Sequence, residues 1–254
     1  MRAMSSCLTV SIVSHGQGDL VLPLLEQLIA LTDVMSLEIL LTENLGERRA
    51  ALPAAWQRHV RVLYNDIPLG FGANHNRAFA ASHGRYFCVM NPDIRLGHDS
   101  ILPLLKCVEH RPGVAGPRVV GSNGVLQDSA RKIPAALRLV WRVASGRRHT
   151  DYNSGIPEQP VDWLAGMCLM FDRDSFAALG GFTEDFHLYC EDVDICIRMH
   201  LAGRSVFWVQ QSTVVHDAQR DSHRSMRYLA WHLSSMLRLF TSKAYWKYRL
   251  SALH

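Results

Sequence analysis

Short runs of β-branched and apolar residues, each cut off by a polar tip, alternate with segments of helical period across the first third of the chain. Cys7-Leu-Thr-Val-Ser-Ile-Val13 ends at Ser14-His15-Gly16. Leu20 to Leu31 places apolar side chains at 21, 24, 25, 28 and 31, one face of a helix. Leu37–Thr42 and Val60–Tyr64 repeat the strand pattern. Asn74–His83 is helical in period and closed by Gly84, and Arg85–Met90 is a further strand stopped by Asn91-Pro92-Asp93. Strands without alternation are buried on both faces, as in parallel sheets. The order strand, helix, strand, strand, helix, strand therefore predicts an α/β fold with a doubly wound, mostly parallel central sheet and flanking helices. A chain of 254 residues buries a core as one large domain, or as one domain with an extension.

Sheets of this kind bind ligands in the crevice beyond the carboxyl ends of their strands. The residues expected there are His15 after the first strand, Glu43 and Asn44 after the second, and Asn91 and Asp93 after the last. Pro92 blocks strand continuation, so Asp93 is aimed out of the sheet end. A single carboxylate there suits a hard divalent cation that keeps waters and binds phosphates, unless Asn91-Pro92 is a plain turn. Gly16-x-Gly18 is an incomplete dinucleotide fingerprint, with Val21 where the third glycine belongs, and is read as loop flexibility. No phosphate loop of nucleotide-hydrolysing type is present.

The second half carries the densest chemistry. In Phe186-His-Leu-Tyr-Cys-Glu191-Asp192-Val-Asp194-Ile-Cys-Ile-Arg198, three acids fall among apolar groups. Val193, Ile197 and Leu201 recur at helical spacing, which puts Glu191 and Asp192 at a helix start. The stretch is either a charged first turn favoured by the helix dipole or a catalytic site. Gly113 to Pro160 is punctuated by Gly and Pro and reads as a mobile region, with basic Ser145–Thr150 as a lid. Arg131 is a phosphate contact or a surface cation. Val161–Phe171 is a buried strand, in which Trp163 either stacks on a sugar or fills the core. His216 ends an apolar run, as a metal or phosphate ligand would, or is structural. The six cysteines form no C-x-x-C pair and read as buried thiols. Net charge of +4 is too small to mark a nucleic-acid binder. No secretory signal or bilayer-spanning run is evident, which points to the cytoplasm.

Several short motifs recur in order across residues 8 to about 223: Val10-Ser-Ile-Val13, Leu41-Thr-Glu-Asn44, Leu69-Gly-Phe-Gly72 with Asn76, Asn91-Pro-Asp93, Gly116-Pro117, Gly124-Val-Leu-Gln127, Trp163-Leu-Ala-Gly166, Gly180-Gly-Phe182, Tyr189-Cys-Glu-Asp-Val-Asp194 and Val215-His216. As an ordered set they resemble glycosyltransferase family 2, in particular its bacterial rhamnosyltransferase-like branch. The resemblance implies a GT-A fold and transfer of a sugar, with inversion, from a dTDP- or UDP-sugar to a saccharide or lipid-linked acceptor in cell-surface polysaccharide synthesis. It also implies Mg²⁺ or Mn²⁺ held by Asp93 and His216, with Asn91 in place of the first aspartate of a D-x-D element. Asp192 matches the catalytic base with Glu191 beside it. Glu43 takes the place of an aspartate that contacts base or ribose, and Asn76 lies on the nucleotide-side helix. Residues 1–216 would form the catalytic domain, with a nucleotide-binding half to about 112 and an acceptor half after it.

The tail, 217–254, is basic and carries the stripe Met226, Leu229, Leu233, Leu237 and Phe240. It is either a helix packed on the catalytic domain or in a homodimer, or a peripheral attachment to the inner face of an anionic membrane. A nucleotidyltransferase, a glycoside hydrolase and a non-catalytic sugar-binding module are the rival readings. A nucleotidyltransferase would carry a basic Gly-rich loop after the first strand, and Ser14–Asp19 has no Lys or Arg. Adjacent Glu191 and Asp192 cannot flank a glycosidic bond as two hydrolase carboxylates must.

Overall fold

A computed structural model describes residues 8–16, 18–45, 52–134, 151–216 and 226–251. Cys7, the 145–150 lid and the tail charges Asp217, Arg220, Asp221 and Arg224 lie outside the described residues. The strands expected in the first third are present: β1 (Leu8–Ser14), β2 (Leu37–Glu43), β3 (Val60–Tyr64) and β4 (Tyr86–Met90). They pair in parallel in the order β3-β2-β1-β4. Every residue of β1 and β4 is buried, because each has a strand on both sides and a layer on both faces. Helix α1 (Gly18–Leu31) lays Val21, Leu24, Leu25 and Leu28 on the sheet, all fully buried.

Helix α2 spans Phe71–Ala81, three residues earlier than its period suggests. Gly70 and Gly72, at its start, are both demanded by packing. A Cβ on Gly70 would lie 2.7 Å from the His187 carbonyl oxygen, and one on Gly72 2.7 Å from Phe182 Cβ. The Phe71 N–H donates to His187 O at 2.9 Å, so this helix begins docked against the acidic stretch.

Beyond β4 the sheet continues through strands the local pattern concealed. After β5 (Ile94–Leu96) and α3 (Leu102–His110) comes β6 (Gly113–Val120), where irregular chain was expected. Pro103 stands in the first turn of α3, where its missing N–H is not needed. In β6, Gly116 faces the Leu164 side chain, 3.1 Å from where its Cβ would stand. Pro117 is tolerated because its partner strand loses register there, between Val209 and Thr213.

The remaining strands are β7 (Ala130–Arg131), β8 (Glu158–Pro160), β9 (Trp163–Leu164), β10 (Cys168–Asp172) and β11 (Ser205–His216). The full order is β3-β2-β1-β4-β10-β6-β11-β5, with β8 on β11 and β7 paired to β9 apart. The single strand expected over Val161–Phe171 breaks at Ala165–Met167, where Met167 N–H donates back to Ala165 O at 2.8 Å. The two runs Ser205–Val209 and Thr213–His216 are one bulged strand. After α4 (Arg173–Ala178), capped by Asp172, the turn Gly180–Gly181 takes positive φ at both residues. It leads to α5 (Glu191–Leu201), and the tail forms α6 (Met226–Thr241) and α7 (Lys243–Ser251). Phe79, Phe87, Phe171, Phe176 and Phe182 make edge-to-face and tilted pairs beneath this turn, each worth about 0.5–1.5 kcal/mol beyond buried area.

Candidate active site

The acids of the acidic stretch separate by environment. Asp194 is buried but paired: it accepts from Thr183 Oγ1 at 2.7 Å and from Arg198 Nε at 2.7 Å. Arg198 also donates to Leu179 O, so this pair ties α5 to the chain before it. Asp192 accepts from the Gly166 amide at 3.0 Å and from the Val193 amide at 2.8 Å. Glu191 is buried, and its Oε2 has no hydrogen-bond partner. Burial pushes the Glu191 carboxyl well above the usual carboxylate range, and the Asp192 charge adds to this. Burial raises Asp192 as well, opposed by the two amides and by the Arg131 charge. Both carboxyls are thus raised by burial, Glu191 well above its usual range and Asp192 against opposing amide bonds.

Two left-handed residues, Tyr189 (φ 72°) and Cys190 (φ 68°), set up the start of α5. Such backbone costs about 1–3 kcal/mol per residue outside glycine and persists only when its surroundings hold it. Helix α6 does so. Ser235 Oγ donates to Leu188 O at 2.8 Å, His232 meets the Tyr189 ring edge-on, and Met236 Sδ lies 3.5 Å from Cys190 Sγ. Part of the tail is thus packed on the acidic stretch, one of the alternatives its sequence allowed.

At the end of β4, Asp93 meets His216 from the end of β11, with Oδ2 3.2 Å from Nε2. Gln127 Nε2 donates to His216 O, which turns its Oε1 toward His216 Nδ1 at 2.9 Å. Nδ1 is therefore the protonated nitrogen, and Nε2 faces the carboxylate. That approach needs a proton or a cation between the two groups. Asp93 Oδ1 is buried without a hydrogen-bond partner. The pair thus fits a divalent cation completed by phosphate oxygens and water. No group of three or more His, Cys, Asp or Glu that could form a cage occurs among the described residues.

Asn91 N–H donates to Met167 O at 2.9 Å, while Gly166 N–H reaches Asp192. The turn Ala165–Met167 thus has the Asn91–Asp93 strand end on one side and the Asp192 carboxylate on the other. Arg131 and Trp163 are register partners in the β7–β9 pair beside it. The guanidinium lies 5.3 Å from the Trp163 ring centre and pairs with Asp128 at 3.0 Å. Trp163 is buried and donates through Nε1 to Lys132 O, so its geometry is that of a core residue with a cation on one face.

Other expected residues serve the frame. Asn44 donates to Leu69 O and to His15 Nδ1, and accepts from Leu69 N–H and from Asn65. Its amide is fully used holding the Leu69–Gly72 loop, with Asn65, Asn74 and Arg77 continuing the network. Asn76 donates to Phe182 O and Glu184 Oε1 and accepts from Phe182 N–H, so it clamps α2 to the Gly180–Phe182 turn. Neither Asn44 nor Asn76 has a side-chain donor left for a nucleotide. His15 is exposed at the end of β1, and Glu43 is buried at the end of β2 beside it. Gln127 and the Tyr189–Cys190 pair had no assigned role in the sequence, although they stand inside the quoted motifs. Helical or strand period does not register them.

His75 sits on α2 beneath the crevice, fully enclosed, with Nδ1 2.8 Å from Ser11 Oγ. Burial, and then the His15 charge, pushes it down to about 3. A histidine lowered by folding is neutral in the native state, so its contribution is complete above its ordinary value and lost as pH falls toward the folded one. Stability is expected to drop by about 1.4 kcal/mol per pH unit between roughly 6.5 and 3 from this group. Urea titrations across that range check it: His75→Leu should show a flatter slope than the wild type.

A mostly parallel sheet in a mixed α/β fold, with Asp93 and His216 meeting at strand ends and the enclosed acids at the start of α5, has the architecture of the GT-A class. Comparisons agree. The glycosyl transferase family 2 model matches residues 9–180. The chain is 29% identical over 248 residues to the rhamnosyltransferase WbbL of Escherichia coli K12, covering 92% of each. It is 30% identical to the N-acetylglucosaminyl-diphospho-decaprenol L-rhamnosyltransferase of Mycobacterium tuberculosis, over 91% of this chain and 82% of that one. Among solved structures, GalNAc-T7 with UDP, GalNAc and Mn²⁺ superposes with TM-score 0.65 at 15% identity, over 85% of this chain. This chain spans 44% of the length of that structure. The mannosyltransferase PcManGT of Pyrobaculum calidifontis, with GDP-Man and Mn²⁺, gives 0.57 at 16% identity, over 91% of this chain and 64% of that one. These two likenesses concern the fold.

The chain belongs to glycosyl transferase family 2. It is a glycosyltransferase, with the mixed α/β GT-A architecture expected of it.

Proposed function

We propose that this enzyme moves a hexose, rhamnose first among candidates, from a dTDP- or UDP-sugar to a saccharide or lipid-linked acceptor in cell-surface polysaccharide synthesis. Asp192 is the base. It takes the proton of the acceptor hydroxyl as that oxygen bonds to the anomeric carbon. The bond from that carbon to the leaving phosphate oxygen breaks, so configuration inverts. Glu191, the more enclosed acid, keeps its proton and adds no second charge beside the base. Asp93 and His216 hold Mg²⁺ or Mn²⁺, which when bound neutralises charge on the departing diphosphate. Arg131, beside Trp163, faces the same crevice as a second cation. Glu43 and His15 line the nucleoside end, and Asn91 sets the approach to Asp93. Residues before about 113 serve the donor and those up to 216 the acceptor. Lipid-linked acceptors would place the enzyme at the inner face of the membrane.

The observation that carries this reading is the Ala165–Met167 turn, bonded to Asn91 on one side and to Asp192 on the other. The test is a panel of dTDP-, UDP- and GDP-sugars with Mn²⁺, read by thermal shift and by transfer to a saccharide acceptor. A dTDP- or UDP-sugar should stabilise the protein and yield a product of opposite anomeric configuration. Response to GDP-sugars alone, or retained configuration, would overturn the proposal.

A further inference from the structure

We propose that the outer face of α6 is a docking surface for an anionic lipid bilayer, seating the catalytic stretch about one helix diameter above the membrane. The inference deepens the reading above by naming the surface, and it depends on that reading only for where the acceptor resides.

Helix α6 has two apolar faces where a surface helix needs one. The inner face, through Trp231, Ser235, Met236 and Leu239, packs on residues 187–190 and the core. The outer face carries Met226, Leu229, Leu233 and Leu237, which are 80%, 51%, 61% and 67% exposed. Spaced at i, i+3, i+7 and i+11, they form one stripe about 16 Å long at 1.5 Å per residue. Isolated exposed leucines are ordinary, but a continuous row of large apolar groups marks a surface that is covered in use. Trp246 of α7 is a further exposed aromatic beside the end of α6. Its Nε1 donates to Phe240 O at 2.7 Å, which anchors it at the end of α6 with its ring 55% exposed. An amphipathic indole at the border of an apolar stripe is the side chain favoured at the membrane–water boundary.

Charge selects the occupant. Residues 226–251 contain five basic side chains, Arg227, Arg238, Lys243, Lys247 and Arg249, and no Asp or Glu; Arg238 pairs with Asp185 at 3.0 Å, so the excess charge rests on the other four. Two copies meeting through this face would bring like charges together, whereas anionic headgroups neutralise them. No helix among the described residues is long and apolar enough to cross a membrane, so attachment would be lateral. A helix with side chains is about 10–12 Å across, and the opposite side of α6 holds the turn that delivers Glu191 and Asp192. A bilayer against the stripe would thus present headgroup-proximal sugars near the base.

The experiment is flotation of the full chain with phosphatidylglycerol/phosphatidylcholine vesicles, compared with Leu229→Gln/Leu233→Gln/Leu237→Gln. Glutamine preserves helix propensity, and thermal melting checks the fold. The wild type should float, with Trp246 emission shifting to the blue, and the triple variant should partition at least tenfold less. Lys243→Gln/Lys247→Gln should weaken flotation and reduce its salt dependence. Failure of the wild type to float, equal flotation of the triple variant, or light scattering showing a dimer that this variant dissolves would each overturn the proposal. Nucleotide-sugar binding measured without vesicles reads the transferase assignment separately, and should be the same in all three proteins.

Discussion

Asp192→Asn is expected to lower kcat by about 10³-fold, within the 10²–10⁴ range of a lost general base, with donor affinity changed less than about threefold. Asparagine has the shape of aspartate, and its oxygen can still accept from the Gly166 amide that Asp192 holds at 3.0 Å. It cannot take up a proton. The contrast with its neighbour makes the test specific. Glu191→Gln puts a neutral group of equal size where burial pushes the carboxyl well above the usual carboxylate range, so the rate should fall less than about tenfold. The pH profile supplies a second reading. Because burial raises Asp192, kcat should climb with pH through a value above the ordinary aspartate range, and Asp192→Asn should lack this limb. Pre-steady-state transfer with saturating donor measures both. Equal loss in the two variants, or none in Asp192→Asn, would reassign the base.

Asp93→Ala is expected to lower kcat/KM by about 10³-fold, roughly 4 kcal/mol, and to remove the response to Mn²⁺. Asp93 has one oxygen facing His216 at 3.2 Å and another buried without a partner. Removing both leaves a leaving diphosphate with less charge compensation. His216→Ala should cost less, because phosphate oxygens and water can fill a lost imidazole position but not replace an anionic ligand. Calorimetric titration of nucleoside diphosphate, with and without Mn²⁺, separates this from misfolding. The wild type should bind tighter with the ion, and Asp93→Ala equally weakly in both. A variant that keeps its metal dependence would remove Asp93 from the cation site.

The first third of the fold was legible because its strands are buried on both sides and its helices on one, and burial leaves a period. Arg85–Met90 was read to within one residue of β4 for that reason, since every residue of β4 is buried. The second half was harder because its structure is set by partners distant in sequence. Gly116-Pro117 punctuates a local window, yet it lies inside β6, where a crowding Leu164 calls for the glycine and a bulge in β11 accommodates the proline. The candidate site divides likewise. Asp93, His216 and the acids of α5 stand at strand and helix ends, positions a pattern can find. Asn44 and Asn76 stand at equally suggestive positions, but their amides are consumed by Leu69 and Phe182. Only the fold reveals which polar residues are already occupied.

Strand β10 has a further consequence. It enters antiparallel between β4 and β6, paired with β4 over all five of its residues and with β6 at Met170 and Phe171, so backbone bonds join the parallel side of the sheet to the mixed side. A clamshell motion between those sides would have to tear that seam. Any closure over bound reactants is therefore expected in short segments at the rim rather than in the sheet beneath them.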